Sequence, residues 1–180
     1  MYKLSGAALI IVMTTYYGFY LAGQLKERIN VIDAYIYSLN YIQSQIKYGL
    51  TPLPVICSEL SKSITNSIVS SMYEQVYIKL SDITQKEDTF NEIWLSEAKK
   101  LIKSGIVKKE EISVIKELGN INTYIDRNMQ LQCAGNVEYK LKNIYQRLQS
   151  EAGTRSKIYQ ISGQSIIKLR KALESSSTKY

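Results

Sequence analysis

The sequence of 180 residues contains no histidine. Its absence removes the commonest general base near neutral pH and the commonest nitrogen ligand for metals. The two cysteines, Cys57 and Cys133, lie far apart with no CxxC pairing, which indicates neither a metal site nor a disulfide framework. We expect two small buried side chains in a reducing compartment. Because no GxSxG sequence or glycine-rich phosphate loop occurs either, the sequence predicts no enzyme, cofactor, metal or small-molecule substrate.

Proline is almost as scarce. Only Pro52 and Pro54 occur, and they are separated by one residue. The other long stretches carry no proline to interrupt a helix, and no alternating strand pattern is present. Hydrophobic residues make up 45% of the chain and charged residues 22%, a balance that argues against a disordered chain. The sequence therefore predicts an all-α fold, with one compact domain and one membrane anchor.

Charge is missing from Leu4 to Leu25, a stretch of 22 residues without Asp, Glu, Lys or Arg. As a helix this stretch is about 33 Å long, enough to cross a hydrocarbon core of about 30 Å. Three tyrosines near its C-terminal end suit the headgroup region. We therefore predict a membrane-spanning helix in residues 1–25. Two alternatives stay open: a cleaved signal peptide, for which only Ala22 offers a small residue at the cleavage site, and a buried core helix.

The residues within and beside this segment bear on its orientation and packing. Lys26 and Arg28 follow it, whereas only Lys3 precedes it, which favours the body of the protein in the cytoplasm. Gly18 and Ala22 form a small-xxx-small step at which another membrane helix could approach closely.

Beyond the segment the helical pattern continues without a break. Apolar residues recur at gaps of three and four as one stripe: Leu25, Ile29, Ile32, Ile36, Leu39, Ile42 and Ile46. The membrane helix and the first bundle helix are therefore predicted to form one rod. We expect the rod to end at Tyr48, with Gly49 in a left-handed turn. Pro52 holds Thr51 away from helical backbone, and Pro54 suits the first turn of the next helix.

Three short helices are predicted in the middle of the chain. The first follows the apolar pattern from Ile56 to Leu80, with a break near Thr65. The second starts at Thr89, whose spacing to Glu92 is that of a capping box. Gly105 is the expected end of this helix.

The third short helix begins with Glu110 and Glu111, which suit the positive end of the helix dipole, and Gly119 closes it. The last helix is expected from about Thr123 to Arg170. Its apolar stripe is Leu131, Ala134, Val137, Leu141, Ile144 and Leu148. Two long helices with three short ones between them predict an elongated antiparallel bundle.

The formal net charge is +7. The lysines are scattered, without an arginine-rich or aromatic-interleaved stretch, so we expect a solvated, mildly basic surface. A cluster around one loop leaves docking to acidic protein or anionic lipid as an alternative: Lys99, Lys100, Lys103, Lys108 and Lys109. The charge also suggests an alternative function, a membrane-tethered domain that binds nucleic acid, although we expect no nucleic acid as a partner.

Several stretches together resemble the stage III sporulation protein AB family of endospore-forming bacteria. The most specific is a Tyr-Gly-x-Thr-Pro-Leu-Pro stretch, formed by Tyr48, Gly49, Thr51, Pro52, Leu53 and Pro54. The others are Gly18–Ala22, Trp94, Lys108–Ile112, Glu117–Gly119, and Asp126 followed four residues later by Gln130. Their order and spacing cover most of Met1–Tyr159.

The resemblance implies that residues 26–160 form a helical domain similar to the cytoplasmic domains of type II secretion and type IV pilus platform proteins. It also implies membership of the complex that links mother cell and forespore, at the mother-cell membrane around the forespore. The expected partners are the lipid bilayer, a secretion-type ATPase of the same complex and other sporulation channel membrane proteins. On this basis the protein is a scaffold that catalyses no reaction.

The resemblance also selects residues for an interaction or structural role: Tyr48, Gly49, Thr51, Pro52, Leu53, Pro54, Gly119, Asp126 and Gln130. For Gly49, Pro52 and Pro54 we favour a rigid turn over direct contact with a partner. For Asp126, three roles stay open: a helix cap, a bond to a buried polar group, and a position facing the ATPase. Trp94 is expected in the core.

Two departures from the family pattern matter. The family usually has a second glycine before the aspartate, whereas this chain has Ile121–Tyr124, which is expected to change how the last helix begins. The family also tends to end in a second apolar span after the position of Tyr159–Gly163. Here residues 161–180 form a polar basic tail that is too rich in Lys, Arg and Ser to cross a bilayer.

Overall fold

A computed structural model describes the backbone of residues 2–49, 51–82 and 89–177, and the side chains of residues 13–49, 51–82 and 89–154. These residues contain helices and no strand, which confirms the predicted all-α class. The α-helices are α1 (Tyr2–Ser44), α2 (Leu53–Ser63), α3 (Ser67–Ser81), α4 (Phe90–Lys103), α5 (Lys109–Glu117) and α6 (Arg127–Ser177). A π-helical segment, Gln45–Gly49, follows α1, and a 3-10 helix, Leu118–Thr123, follows α5.

The two long helices, α1 and α6, pack against each other in opposite directions, with the short helices beside them. Near the end of α1, Gln43 Nε2 donates to Glu138 Oε2 at 2.7 Å. At the start of α6, Arg127 Nε donates to the carbonyl oxygen of Ile46 at 2.5 Å. We call this the distal end, formed by Gln45–Pro54 and by residues 118–130. The opposite end, where Leu25–Arg28 lie, is the proximal end.

The predicted apolar stripes form the core between the helices. In α1 the buried members are Leu25, Ile32, Leu39 and Ile42, and in α6 they are Ala134, Val137, Leu141, Ile144 and Leu148. The two cysteines differ in burial. Cys57 is buried as expected, and burial raises the pKa of its thiol to about 12, whereas Cys133 is only partly buried. Cys133 therefore corrects the expectation of two buried thiols, because it lies in a shallow groove beside α6.

Trp94 lies at the centre of this core and is fully buried, as expected. Its ring contacts Tyr35 edge-on at a centroid distance of 6.4 Å and Tyr73 at 5.4 Å. Its indole Nε1 donates to the carbonyl oxygen of Ile115 at 2.8 Å, so its polar atom has a partner. This one residue of α4 thus joins α1, α3 and α5.

Most of the predicted helix boundaries are confirmed. Thr89 and Glu92 form the capping box, with the Thr89 amide donating to the Glu92 carboxylate at 2.8 Å. This bond lowers the pKa of Glu92 below its usual value. Gly105 follows α4 at a φ of 70°, a left-handed conformation that favours glycine. Pro54 lies in the first turn of α2.

Three expectations about the boundaries are wrong. The break predicted near Thr65 is present, but the expected number of short helices is wrong: the break is complete, so there are four instead of three. Asn66 caps α3 there by accepting from the amides of Ile68 and Val69. The last helix begins at Arg127, later than Thr123, because the 3-10 helix occupies the preceding residues, and it continues past Arg170 to Ser177.

The third wrong expectation is the left-handed turn at Gly49. This residue closes the π-helical segment and is not among the glycines with positive φ.

Within the described part of the chain, no helix is long and apolar enough to cross a membrane. The predicted span starts at Leu4, and its part up to Val12 lies outside the residues whose side chains the structure describes. The span therefore stays a prediction. The tail at 161–180 also lies outside the described side chains, while its backbone continues α6 as far as Ser177.

A buried ion pair fixes α5 against α1. Arg28 Nε donates to Glu111 Oε1 at 2.6 Å, and Glu111 is completely buried. The second carboxylate oxygen of Glu111 accepts from the backbone amide of Lys108 at 2.7 Å. Beside it, the exposed Glu110 pairs with Arg147 of α6 through two hydrogen bonds of 3.1 and 2.9 Å. The start of α5 is thus bound to both long helices.

Replacing Glu111 with glutamine leaves the buried guanidinium of Arg28 without a counter-charge. We expect the free energy of unfolding to fall by about 3 kcal/mol, as is typical when one partner of a buried pair is removed. The matched variant Glu110→Gln acts on a solvent-exposed pair and should leave stability nearly unchanged. Denaturation of the full chain in detergent micelles, followed by Trp94 fluorescence, measures both. Equal effects of the two changes would contradict the structural role of the buried pair.

Candidate interaction surface

The distal end brings together the two groups of residues that the sequence singled out separately. The connection after α1 supplies Thr51 and Leu53, and the segment before α6 supplies Ile125, Arg127 and Gln130. These side chains line a cleft of about 350 Å³. These residues, 72 or more positions apart in the chain, therefore share one surface.

Arg127 holds the two sides of the cleft together. Its Nε donates to the carbonyl oxygen of Ile46 at 2.5 Å, and its Nη2 donates to that of Lys47. Carbonyl oxygens at a helix end lack partners within the helix, so the guanidinium satisfies groups that otherwise depend on water. The start of α6 is thereby fixed to the end of the first rod.

The connection between the π-helical segment and α2, which contains Gly49 and Pro52, is a compact turn. Thr51 Oγ1 donates to Gln45 Oε1 at 2.7 Å, across the turn. A Cβ atom at Gly49 would lie 2.1 Å from the same Gln45 oxygen. A side chain at Gly49 would therefore push the Gln45 amide away and break its bond to Thr51. Pro52 occupies the N-cap of α2, and its carbonyl oxygen accepts from the amide of Val55 at 3.0 Å.

Asp126 is the N-cap of α6. Its Oδ2 accepts from the backbone amide of Met129 at 3.0 Å. Its backbone carbonyl oxygen accepts from the backbone amide of Gln130, also at 3.0 Å. Of the three roles considered for Asp126, the structure shows this capping role. The Gln130 side chain donates to the carbonyl oxygen of Tyr124 at 2.7 Å, which fixes the segment leading into the helix.

Large apolar side chains stand exposed at the distal end. Ile125 is fully exposed, at 102% of its reference area, and Tyr48 is 75% exposed. Met129 and Tyr124 are exposed to lesser degrees. The Lys47 ammonium lies 5.1 Å from the centre of the Tyr48 ring. Exposed apolar groups gathered at one end of a helical bundle are typical of an interaction surface.

Gly119 lies beneath this surface, where the 3-10 helix crosses α4. A Cβ atom there would lie 2.7 Å from Asn91 Oδ1 and 2.9 Å from Trp94 Cδ1. Since Trp94 is fixed in the core, the backbone can approach α4 this closely only with glycine. Gly119 was predicted to close α5, but α5 ends at Glu117 and Gly119 lies within the following 3-10 helix, where it has this packing role.

The variant Gly119→Ala should lower the free energy of unfolding by about 2 kcal/mol, because the methyl group must displace the indole ring. Gly135→Ala is the matched control, since a Cβ atom at this position in α6 meets nothing within 4 Å. There alanine should raise stability, by up to about 1 kcal/mol, through helix propensity. Chemical denaturation distinguishes the two. A neutral Gly119→Ala would show that α4 and the 3-10 helix can separate freely.

Other candidate residues lie elsewhere. Gly18 is half-buried and Ala22 exposed, both on α1 far from the distal cleft. Their packing against another membrane helix stays a prediction. The sequence did not select Arg127 or Ile125 for the site. A signal for Ile125 existed, since it is an apolar residue outside every helical stripe, whereas the partners of Arg127 are backbone atoms that only the fold brings near.

The described residues contain no group of three or more Asp, Glu or Cys side chains placed to hold a metal ion. The distal cleft is lined by amides, a hydroxyl, a guanidinium and apolar groups. Such a lining supplies hydrogen bonds and apolar contacts. It is suited to binding another molecule rather than to moving protons.

The sequence profile of the stage III sporulation protein AB family matches residues 3–166. The chain belongs to that family. A relative in Bacillus subtilis (strain 168), stage III sporulation protein AB, is 30% identical over 131 residues, which cover 72% of this chain and 74% of the relative. A solved structure of a stage III sporulation protein AB superposes with a TM-score of 0.63 at 22% identity, over 71% of this chain and 97% of the other. The bundle is thus the fold found for this family.

Proposed function

We propose that this member of the stage III sporulation protein AB family is a scaffold subunit, without catalytic activity, of the sporulation complex that links mother cell and forespore. Its N-terminal segment attaches it to the mother-cell membrane, with the bundle in the cytoplasm. Its distal end docks a secretion-type ATPase. The observation that carries the proposal is the distal surface, where the Tyr48–Pro54 and Asp126–Gln130 stretches meet beside exposed apolar side chains.

The position of this surface supports docking from the cytoplasm. From Lys26 to Ser44, α1 continues for 19 residues beyond the predicted span. At 1.5 Å per residue these residues extend about 28 Å. The distal end therefore stands clear of lipid headgroups, where a large soluble partner can reach it.

The rigidity of the distal end supports the same proposal. Arg127, Asp126 and the Thr51–Gln45 bond fix the backbone that carries Tyr48 and Ile125. A surface that is ordered before it meets its partner loses less conformational entropy on binding. Exposed apolar and aromatic side chains on such a frame have the character of binding hot spots.

Membrane attachment rests on the N-terminal segment. Residues Leu4–Leu25 carry no charge. The described part of the segment exposes large aromatic side chains: Tyr16, Tyr17, Phe19 and Tyr20. On a protein surface in water this arrangement is unfavourable, whereas at the interface of a bilayer aromatic side chains are favoured. The alternative of nucleic-acid binding has less support, since the distal surface is mainly apolar.

The variant Ile125→Ser should weaken association with the ATPase by roughly 30-fold, the loss expected for one binding hot spot. The control Ile78→Ser changes an isoleucine of α3 that is 50% exposed and should bind as the unaltered protein does. Affinities are measured with the full chain in lipid nanodiscs and the purified ATPase. Failure of the unaltered chain to bind, or equal losses for both variants, would contradict docking at the distal end. A mobility shift with DNA at low salt tests the nucleic-acid alternative.

A further inference from the structure

The region that runs from the last turn of α4 to the first residue of α5 is strongly basic. Residues 99–109 contain five lysines and no acidic residue. We call these eleven residues the basic loop. Four of its lysines are exposed and form no salt bridge with any of the described residues: Lys99, Lys103, Lys108 and Lys109. The fifth, Lys100, pairs with Glu97 at 2.8 Å.

The buried ion pair determines where the basic loop lies. Glu111, two residues after the loop, is bound to Arg28 of α1. Arg28 follows Leu25, the last residue of the uncharged segment, by three residues, which is about 4.5 Å along a helix axis. The adjacent pair of Glu110 with Arg147 holds the same end of α5 to α6. The basic loop is therefore held at the level where the proposed membrane segment ends.

The acidic neighbours of the loop are already engaged. Burial by itself would raise the pKa of Glu97, but the ammonium groups of Lys100 and Lys79 outweigh it, so the pKa lies below its usual value. Both lysines lie 2.8 Å from the same Glu97 oxygen. Glu110 and Glu111 are bound to arginines. The four exposed lysines are thus left to attract anions from outside the bundle.

The shape of the loop also suits a membrane surface. Gly105, at a φ of 70°, turns the chain, and Ile102 beside it is 41% exposed while Ile106 is partly buried. Apolar side chains between lysines are typical of segments that bind at the headgroup boundary.

We propose that the basic loop binds the headgroups of anionic phospholipids in the membrane that holds the N-terminal segment. The proposal rests on the membrane attachment proposed above. It assigns the loop a second, electrostatic contact with that membrane, which fixes the tilt of the bundle and hence the position of the distal surface. Each lysine at an anionic surface contributes about fivefold in the binding constant, an effect that salt screens.

The test uses the full chain in nanodiscs made of phosphatidylcholine alone or with phosphatidylglycerol. Hydrogen exchange of the amides of residues 99–109 is followed in both. We expect exchange to be slower by about tenfold in the anionic discs, and the difference to vanish in 0.5 M salt, where the Debye length is only about 4 Å. The variant Lys103→Gln/Lys109→Gln should lose most of the protection.

The matched control, Lys47→Gln/Lys116→Gln, removes the same charge from positions nearer the distal end and should keep the protection. If the chain enters both kinds of disc but the loop exchanges equally fast in each, the lipid proposal is wrong while membrane attachment stands. If the chain enters neither disc, the proposed attachment itself is wrong. Protection that requires added DNA instead of anionic lipid would also overturn the lipid proposal.

Discussion

The ion pair between Arg28 and Glu111 is the contact on which the arrangement of both ends depends. A carboxylate with no exposed surface is tolerated only when its oxygens have partners, and here a guanidinium and the Lys108 amide provide them. The pair fixes α5 at one height along α1. From this fixed point α5 and the 3-10 helix lead to the distal end, while the basic loop stays at the proximal end. A shift of one helical turn would leave both charges buried and unpaired.

The two ends of the bundle differ in chemistry. The proximal end combines an uncharged helix segment with exposed lysines, whereas the distal end exposes Tyr48 and Ile125 on a backbone fixed by Arg127. The proposed scaffold role makes use of this division, because one end would be held while the other is presented. Between the two ends, Trp94 packs against Tyr35 and Tyr73 and so joins α4 to α1 and α3 in the core.

Local patterns in the sequence predicted the helices well because each depends on neighbouring residues. Spacings of three and four marked the apolar stripes, and Thr89 with Glu92 marked the start of α4. The predictions were wrong where two local structures compete. The break near Thr65 was predicted, but the start of a separate helix, capped by the Asn66 side chain, was not, and before Arg127 a 3-10 helix replaces the α-helix. Gly49 was predicted to need glycine for its backbone angle, whereas the constraint is its distance from Gln45.

The sequence by itself determined the fold class, most helix boundaries and the family, because periodicity, caps and motifs are carried by residues close together in the chain. Only the tertiary structure decided which distant residues meet. It placed the turn after α1 beside the start of α6, and Glu111, two residues after the basic loop, against Arg28 of α1. The physical reason is that Arg28 with Glu111, and Arg127 with Ile46, are contacts across more than 80 residues. No local spacing encodes such a pair.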